Sequence, residues 1–279
     1  MSTLNDAYDT AARAIEAADG LLIAAGAGMG VDSGLPDFRG TEGFWKAYPP
    51  FRGRKFSDLS TPHWFHSDPT LAWGFFGHRL KLYRSAVPHA GFEILQQWGL
   101  RMPHGYFIFT SNVDGQFQKS GFSPDRILEC HGSIHHLQCA IPCSQSIWTA
   151  DDISIDVDET TIRAKSVLPC CVECHGIARP NILMFHDRGW IADRADEQAR
   201  RYRSWLRTAE AARLVIVEIG AGLAVPSVRY ESECSAGTLI RINPREAQTG
   251  PDGISIPVGG LEALREIDAR LRSQPTPDS

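Results

Sequence analysis

The stretch that most constrains this chain is Leu21-Leu22-Ile23-Ala24-Ala25 running without a break into Gly26-Ala27-Gly28-Met29-Gly30. A short apolar run that ends in alternating glycines reads as a buried strand turning into a phosphate-holding loop. Glycine lets a backbone approach a pyrophosphate closely, and N–H groups at a helix start can bind it. The spacing departs from the ordinary dinucleotide fingerprint, because Val31 stands where the third glycine would fall. The next residues end in Pro36-Asp37-Phe38-Arg39, which set a rigid turn, a carboxylate, a ring and a guanidinium directly after the glycines. A helix seldom begins that way, so the segment reads as a specialised loop.

The rest of the chain supplies the pattern around that loop. Leu4, Ala7, Ala11, Ile15 and Ala18 recur at helical spacing and predict an amphipathic helix over residues 4–18. Short apolar runs at 21–25, 106–110, 127–130, 214–219 and 238–242 predict strands, and helices are expected near 68–85, 89–98, 192–210 and 260–272. Strands separated by helices imply an α/β fold with a parallel sheet covered on both faces. Ligands of such sheets sit at the carboxyl ends of the strands, where the glycine loop, Asn112, the Gly220 loop and Asn243 would converge. Two segments break the alternation: the aromatic- and proline-rich 41–84, and 136–180 with five of the seven cysteines. We therefore expect a Rossmann-like domain from 1–40, 85–135 and 181–272, a smaller helical, zinc-binding domain from the insertions 41–84 and 136–180, and a disordered tail at 273–279.

Cys139 and Cys143 form C-x3-C, and Cys171 and Cys174 form C-x2-C, with 27 residues between the pairs. Two close pairs at a distance is the spacing of a tetrahedral four-cysteine zinc site, in which a closed shell leaves no position for a catalytic water. On spacing alone Cys170 is an alternative ligand, and four reduced buried thiols are the competing reading. Seven cysteines in a chain of 279 residues argue against a disulfide scaffold and for a reducing cytoplasm. The N-terminal residues lack the basic and apolar regions of a secretory signal. A net charge of -5 gives no positive field for nucleic acid or an anionic membrane, and no apolar run approaches the ~20 residues that span a bilayer.

Gly-Ala-Gly followed by Ser-Gly-Leu-Pro-Asp-Phe-Arg resembles the cofactor loop of the sirtuins, the NAD-dependent protein deacylases. The chain carries further motifs in that family's order: Thr110-Ser111-Asn112-Val113-Asp114, Glu129-Cys130-His131-Gly132-Ser133, the split cysteines, and Gly220-Ala221-Gly222-Leu223 with Asn243 beyond. The resemblance covers roughly residues 14 to 270. It implies NAD as co-substrate, held by Gly26, Ala27, Gly28, Asp37, Phe38, Arg39, Ser111, Asn112, Asp114, Gly220, Ala221, Gly222 and Asn243. It also implies a structural Zn2+ on Cys139, Cys143, Cys171 and Cys174, the family spacing favouring Cys171 over Cys170. His131 would be the catalytic base with Asn112 beside it, and imidazole suits a proton transfer near neutral pH. The implied reaction moves the acyl group of a protein lysine to ADP-ribose and releases nicotinamide.

Ala178 to Phe185 resembles the segment that lines the acyl-lysine tunnel, which makes Arg179, Ile182, Leu183 and Phe185 expected substrate contacts. In its spacing Arg79 resembles the arginine of a Tyr-x-x-Arg pair that holds acidic acyl groups in some sirtuins, with Phe76 in place of the tyrosine. The chain departs from the family pattern in four places: Gly30 for Ser, Ser111 for Gln, Gly220-Ala221-Gly222 for Gly-Thr-Ser, and Phe185-His186-Asp187 for Phe-Gly-Glu. Each removes or moves a hydrogen-bond partner worth about 0.5–1.5 kcal/mol. Alternative readings are ADP-ribosyl transfer or NAD hydrolysis on the same scaffold, and a non-catalytic NAD or ADP-ribose sensor.

Overall fold

The computed structural model describes residues 3–36, 48–53 and 55–273. Strands β1 (Gly20–Ala25), β2 (Tyr106–Thr110) and β3 (Ile127–Glu129) lie close to the expected runs. Beyond them come β4 (Gly132–Cys139), β5 (Ile147–Thr149), β6 (Val157–Asp158), β7 (Arg163–Ala164) and β8 (Ala178–Ile182), then β9 (Leu214–Ile219), β10 (Thr238–Ile242) and β11 (Ile254–Ile256). Six of these form one sheet in the order β11-β10-β9-β1-β2-β3. Every neighbouring pair in it is parallel. This is the strand order of a doubly wound dinucleotide-binding fold, and its order reverses between β1 and β9.

Both faces of the sheet are covered, and the alternation along β1 shows how. Leu21, Ile23 and Ala25 share a core with Tyr8, Ile15, Leu95, Trp98 and Leu264. These come from the helices Leu4–Glu16, Ala90–Arg101 and Gly260–Ser273. Leu22 and Ala24 face the opposite way, into a core with Tyr202, Trp205 and Val228, from the helices Asp193–Glu210 and Ser227–Cys234. The Leu4–Glu16 helix starts in a capping box, with the Thr3 hydroxyl accepting from the Asp6 N–H and the Asp6 carboxylate from the Thr3 N–H.

A third core joins the two insertions. Tyr48, Phe65, Trp73 and Phe76 pack with Ile134, Leu137, Ile155 and Ile162. Arg84, at the end of the Pro69–Ser85 helix, donates to the carbonyls of Ile153 and Ala150, each at 2.6 Å. The accompanying sheet is antiparallel, in the order β5-β4-β8. It runs across the boundaries expected at 135/136 and 180/181: β4 begins at Gly132 and β8 ends at Ile182. β11, β4 to β7 and the Ser227–Cys234 helix were not among the expected elements. β11 and β5 to β7 are two or three residues long, and half-exposed β5 to β7 carry no continuous apolar run for a sequence reading to catch. Among the described residues no helix is long and apolar enough to cross a membrane.

Candidate active site

The crevice at the strand-order reversal opens between the loops that follow β1 and β9. Those loops meet glycine to glycine. The Gly28 N–H donates to the Gly220 carbonyl at 3.1 Å. A Cβ on Gly28 would lie 2.6 Å from the Gly220 Cα, and one on Gly220, which sits at φ +62, would lie 2.4 Å from the Gly28 Cα. The Gly26 and Gly220 N–H groups donate to Ile219 and Ile242 carbonyls, both at 2.9 Å. Gly28 and Gly220 therefore serve to bring two backbones together, and neither lines the adjoining cavity, whereas Gly26, Ala27, Ala221 and Gly222 do.

That cavity has a volume of ≈ 650 Å³, within the range of small-molecule sites. On one wall stand Ser111, Asn112, Asp114 and His131. The Ser111 N–H caps the Ala25 carbonyl at 3.2 Å, and the Asn112 side-chain amide donates to the Gly26 carbonyl at 2.9 Å. This ties the loop after β2 to the loop after β1. Asp114 is buried, accepts from the Gln116 N–H at 2.9 Å, and its carboxyl is pushed up to about 6 by burial. His131 follows β3, and burial lowers its pKa below the ordinary histidine value, so the ring is neutral at pH 7. Gly132, next to it, lies at φ +77, and a Cβ there would come 2.1 Å from the Asn181 carbonyl oxygen. Glycine at that position allows the chain to turn from the β3 end into β4 with His131 at the bend.

Ile182, Leu183, Met184 and Phe185 line the cavity beside His131. The Leu183 N–H donates to the His131 carbonyl, and the Phe185 N–H to the Ser60 carbonyl, both at 2.9 Å. Arg79 reaches the same cavity from the Pro69–Ser85 helix. It is 4% exposed. Its guanidinium lies 5.4–5.5 Å from the ring centres of Phe56, Phe75, Phe76 and Tyr83, and it donates to the Tyr83 hydroxyl from Nε at 3.2 Å and Nη2 at 2.9 Å.

Two expected contacts fall elsewhere. Arg179 does not line the cavity: it is fully buried and forms a two-pronged ion pair with Asp187 at 2.6 and 3.0 Å. That pair holds the turn after Phe185, where His186 takes a left-handed φ of 58. Asn243 is buried behind the wall. Its amide donates to the Ala221 carbonyl at 2.7 Å, and its side-chain oxygen accepts from the Arg245 and Glu246 N–H groups at 3.0 and 3.1 Å. It supports the Ala221 turn rather than facing the cavity. Asp37, Phe38 and Arg39 lie outside the described residues.

The cysteines converge as their spacing requires. Sγ atoms of Cys139, Cys143, Cys171 and Cys174 all lie within 4.8 Å of one another, with Cys139–Cys174 and Cys143–Cys171 each at 3.6 Å. Zinc–thiolate bonds of about 2.3 Å in a tetrahedron give sulfur–sulfur edges of about 3.8 Å, so the four thiols fit that ion. Cys170 is outside the cluster, with its Sγ toward the Leu168 carbonyl at 3.6 Å. This decides between the two pairings that spacing left open.

A profile of the Sir2 family matches residues 26–226. The chain belongs to the Sir2 family. Relatives of this Sir2 protein include the NAD-dependent protein deacylase of Aquifex aeolicus, 28% identical over 79% of this chain and 82% of the relative. That of Pyrococcus abyssi is 29% identical over 86% of this chain and 88% of the relative. Over 57% of this chain and 58% of the relative, the NAD-dependent protein deacetylase of Saccharolobus solfataricus is 31% identical. The fold matches a Sir2 homolog–NAD complex with a TM-score of 0.70 at 20% identity, over 95% of this chain and 93% of the other. It matches a Sir2 homologue mutant–ADP ribose complex with a TM-score of 0.70 at 22% identity, over 94% and 96%.

Several cavity residues of this Sir2 protein were not among those read from sequence. Tyr83, Lys55, Phe56 and Ser60 line it, and Ser227 touches His131. Arg79 and Tyr83 stand four apart, the spacing at which helix side chains meet, which could have flagged the pair. The raised pKa of Asp114 yields a prediction. In the unfolded chain the carboxyl ionises near 3.8, whereas in the folded protein it does so near 6. Stability is therefore lost as pH rises through that window. Asp114→Asn keeps the acceptor for Gln116 and is expected to raise the thermal midpoint at pH 8 while leaving it little changed at pH 4. Melting curves at the two pH values check this, and equal shifts at both would reject it.

Proposed function

We propose that this chain is an NAD-dependent protein-lysine deacylase that moves the acyl group of a modified lysine to ADP-ribose. The observation that carries the reading is one cavity lined by Asn112, Asp114 and His131 together with the Ile182–Phe185 segment. The names of its relatives support it. When bound, NAD supplies an electrophilic ribose carbon and nicotinamide as leaving group. His131, neutral through burial, is placed to take a proton from a ribose hydroxyl. Asn112, fixed to the Gly26 carbonyl, holds the shape of the nicotinamide side. Leu35, Val113, Ile182 and Met184 give the site an apolar lining that keeps water from a reactive intermediate. The four-cysteine zinc site organises the insertion sheet and takes no part in the chemistry. Acylated protein lysines are the proposed substrates and a reducing cytoplasm the proposed compartment.

The test is incubation with NAD and an acetyl-lysine peptide, with products read by mass spectrometry. O-acetyl-ADP-ribose together with free lysine peptide is the expected result. Free ADP-ribose, or ADP-ribosylated protein with the peptide still acetylated, would move the assignment to NAD hydrolysis or ADP-ribosyl transfer.

A finer reading concerns the acyl group. Phe76 lacks the hydroxyl of the Tyr-x-x-Arg pattern, but Tyr83 supplies one to Arg79 from the next turn. A buried guanidinium beside a phenol, in a cavity that Leu35, Phe56, Val113 and Met184 also line, suits an acyl chain that ends in a carboxylate. Arg79→Met is expected to lower kcat/KM for a succinyl- or malonyl-lysine peptide by about 10- to 100-fold, the weight of a hydrogen bond to a charged group, and to change acetyl-lysine turnover far less. A parallel loss on all acyl groups would reject the acidic preference.

A further inference from the structure

His131 has a partner that its motif does not announce. Its Nε2 lies 3.1 Å from the Oγ of Ser227, the first residue of the Ser227–Cys234 helix. Ser227 is half-buried and does not line the cavity, although its neighbours Val225 and Val228 do. It reaches His131 from between these two lining residues, at the end of the loop that begins at Gly220. The backbone of Ser111 acts on the same ring in the direction of an acceptor, favouring the protonated form. A base that works through Nε2 needs its lone pair there, which puts the ring N–H on Nδ1. Nε2 then carries the lone pair, and the Ser227 hydroxyl is the donor.

We propose that Ser227 is a positioning residue for His131. Its hydroxyl donates to Nε2, fixes the ring plane and the neutral tautomer, and ties the base to the loop carrying Ala221 and Gly222. The inference rests on the reading of His131 as the base. In the reaction Ser227 yields the lone pair to the substrate hydroxyl, whose proton passes to Nε2, and Ser227 keeps its own proton. Among the described residues the ionisable neighbours are engaged elsewhere. Glu129 is paired with Arg194, and Arg229 lies 3.9 Å from Glu218. Glu231 accepts from the Tyr202 hydroxyl at 2.7 Å, Glu233 pairs with Arg241 at 2.7 Å, and Asp114 accepts from the Gln116 N–H at 2.9 Å. Burial pushes the neighbouring Cys130 thiol up to about 12, so it stays neutral at physiological pH. His135 on β4 is engaged with the Asp114 carbonyl at 2.9 Å.

A donor to the lone pair stabilises the neutral ring, so losing it raises the pKa. Ser227→Ala is expected to move the His131 titration upward by about half to one pH unit, to shift the acid limb of the kcat/KM profile by the same amount, and to lower kcat several-fold with KM nearly unchanged. Ser227→Thr, which keeps the hydroxyl, restores both. The titration and tautomer are read by 15N-histidine NMR on the free full-length protein, with His131→Gln assigning the resonances. That arm needs no turnover, so it stands even if the deacylase assay fails and the functional reading falls. An unchanged His131 titration and tautomer in Ser227→Ala overturns the proposal. So does a shifted titration with an unaltered kcat, or a fall in thermal midpoint alone, which would mark Ser227 as a helix-start residue only.

Discussion

His131→Ala is expected to lower deacylation by about 10²- to 10⁴-fold, the range that a positioned general base contributes. The size of the effect follows from what surrounds the ring. Burial holds His131 below its ordinary pKa, so at pH 7 the neutral ring predominates, and the wild-type acid limb should lie below pH 6.5. Asp114, the carboxylate among the described lining residues, is engaged by the Gln116 N–H at 2.9 Å. The loss should appear in formation of O-acyl-ADP-ribose. Binding of NAD should persist, because the Gly26 N–H, the Asn112 amide and the Ala221 carbonyl are held by the Ile219 carbonyl, the Gly26 carbonyl and the Asn243 amide. Steady-state assays with an acetyl-lysine peptide, alongside calorimetric NAD titration, check both halves. Activity within a few-fold of wild type would remove His131 from the chemistry.

Breaking the four-cysteine site is expected to cost the most in stability. Binding of zinc to closed thiolate sites is worth about 10–16 kcal/mol in zinc-finger peptides, and that binding energy is folding energy. Here it acts on one part of the chain. Cys139 ends β4, while Cys171 and Cys174 precede β8, so the ion clamps together the two long strands of the antiparallel sheet. The parallel sheet has separate cores of its own. Cys171→Ala should therefore lose bound zinc and open the 139–178 region to proteolysis, with a fall in thermal midpoint and a less cooperative transition, while the parallel sheet keeps its structure. Cys170→Ala should keep zinc and wild-type stability, since Cys170 lies outside the cluster. Metal content by atomic absorption, limited proteolysis and melting curves on the two variants decide this. Zinc retained in Cys171→Ala, or lost in Cys170→Ala, would reassign the ligands.

The parallel sheet, the cavity wall at Asn112, Asp114 and His131, and the two cysteine pairs were legible in the sequence for physical reasons. Buried parallel strands must be continuous apolar runs, so β1, β2, β9 and β10 read directly. Catalytic and metal-ligating residues sit in short local patterns whose spacing is set by one turn of chain. Tertiary structure decided everything that depends on two distant segments meeting. It turned Gly28 and Gly220 into each other's neighbours, and it drew Arg179 away from the substrate to Asp187. Asn243 was placed behind the Ala221 turn, and Cys171 was chosen over Cys170. It also set Ser227 beside His131, across 96 residues of chain. Local sequence determines which strands are buried and which side chains can do chemistry. The partner of a buried polar group is whichever donor or acceptor packing brings within reach, and that is settled only when the cores close.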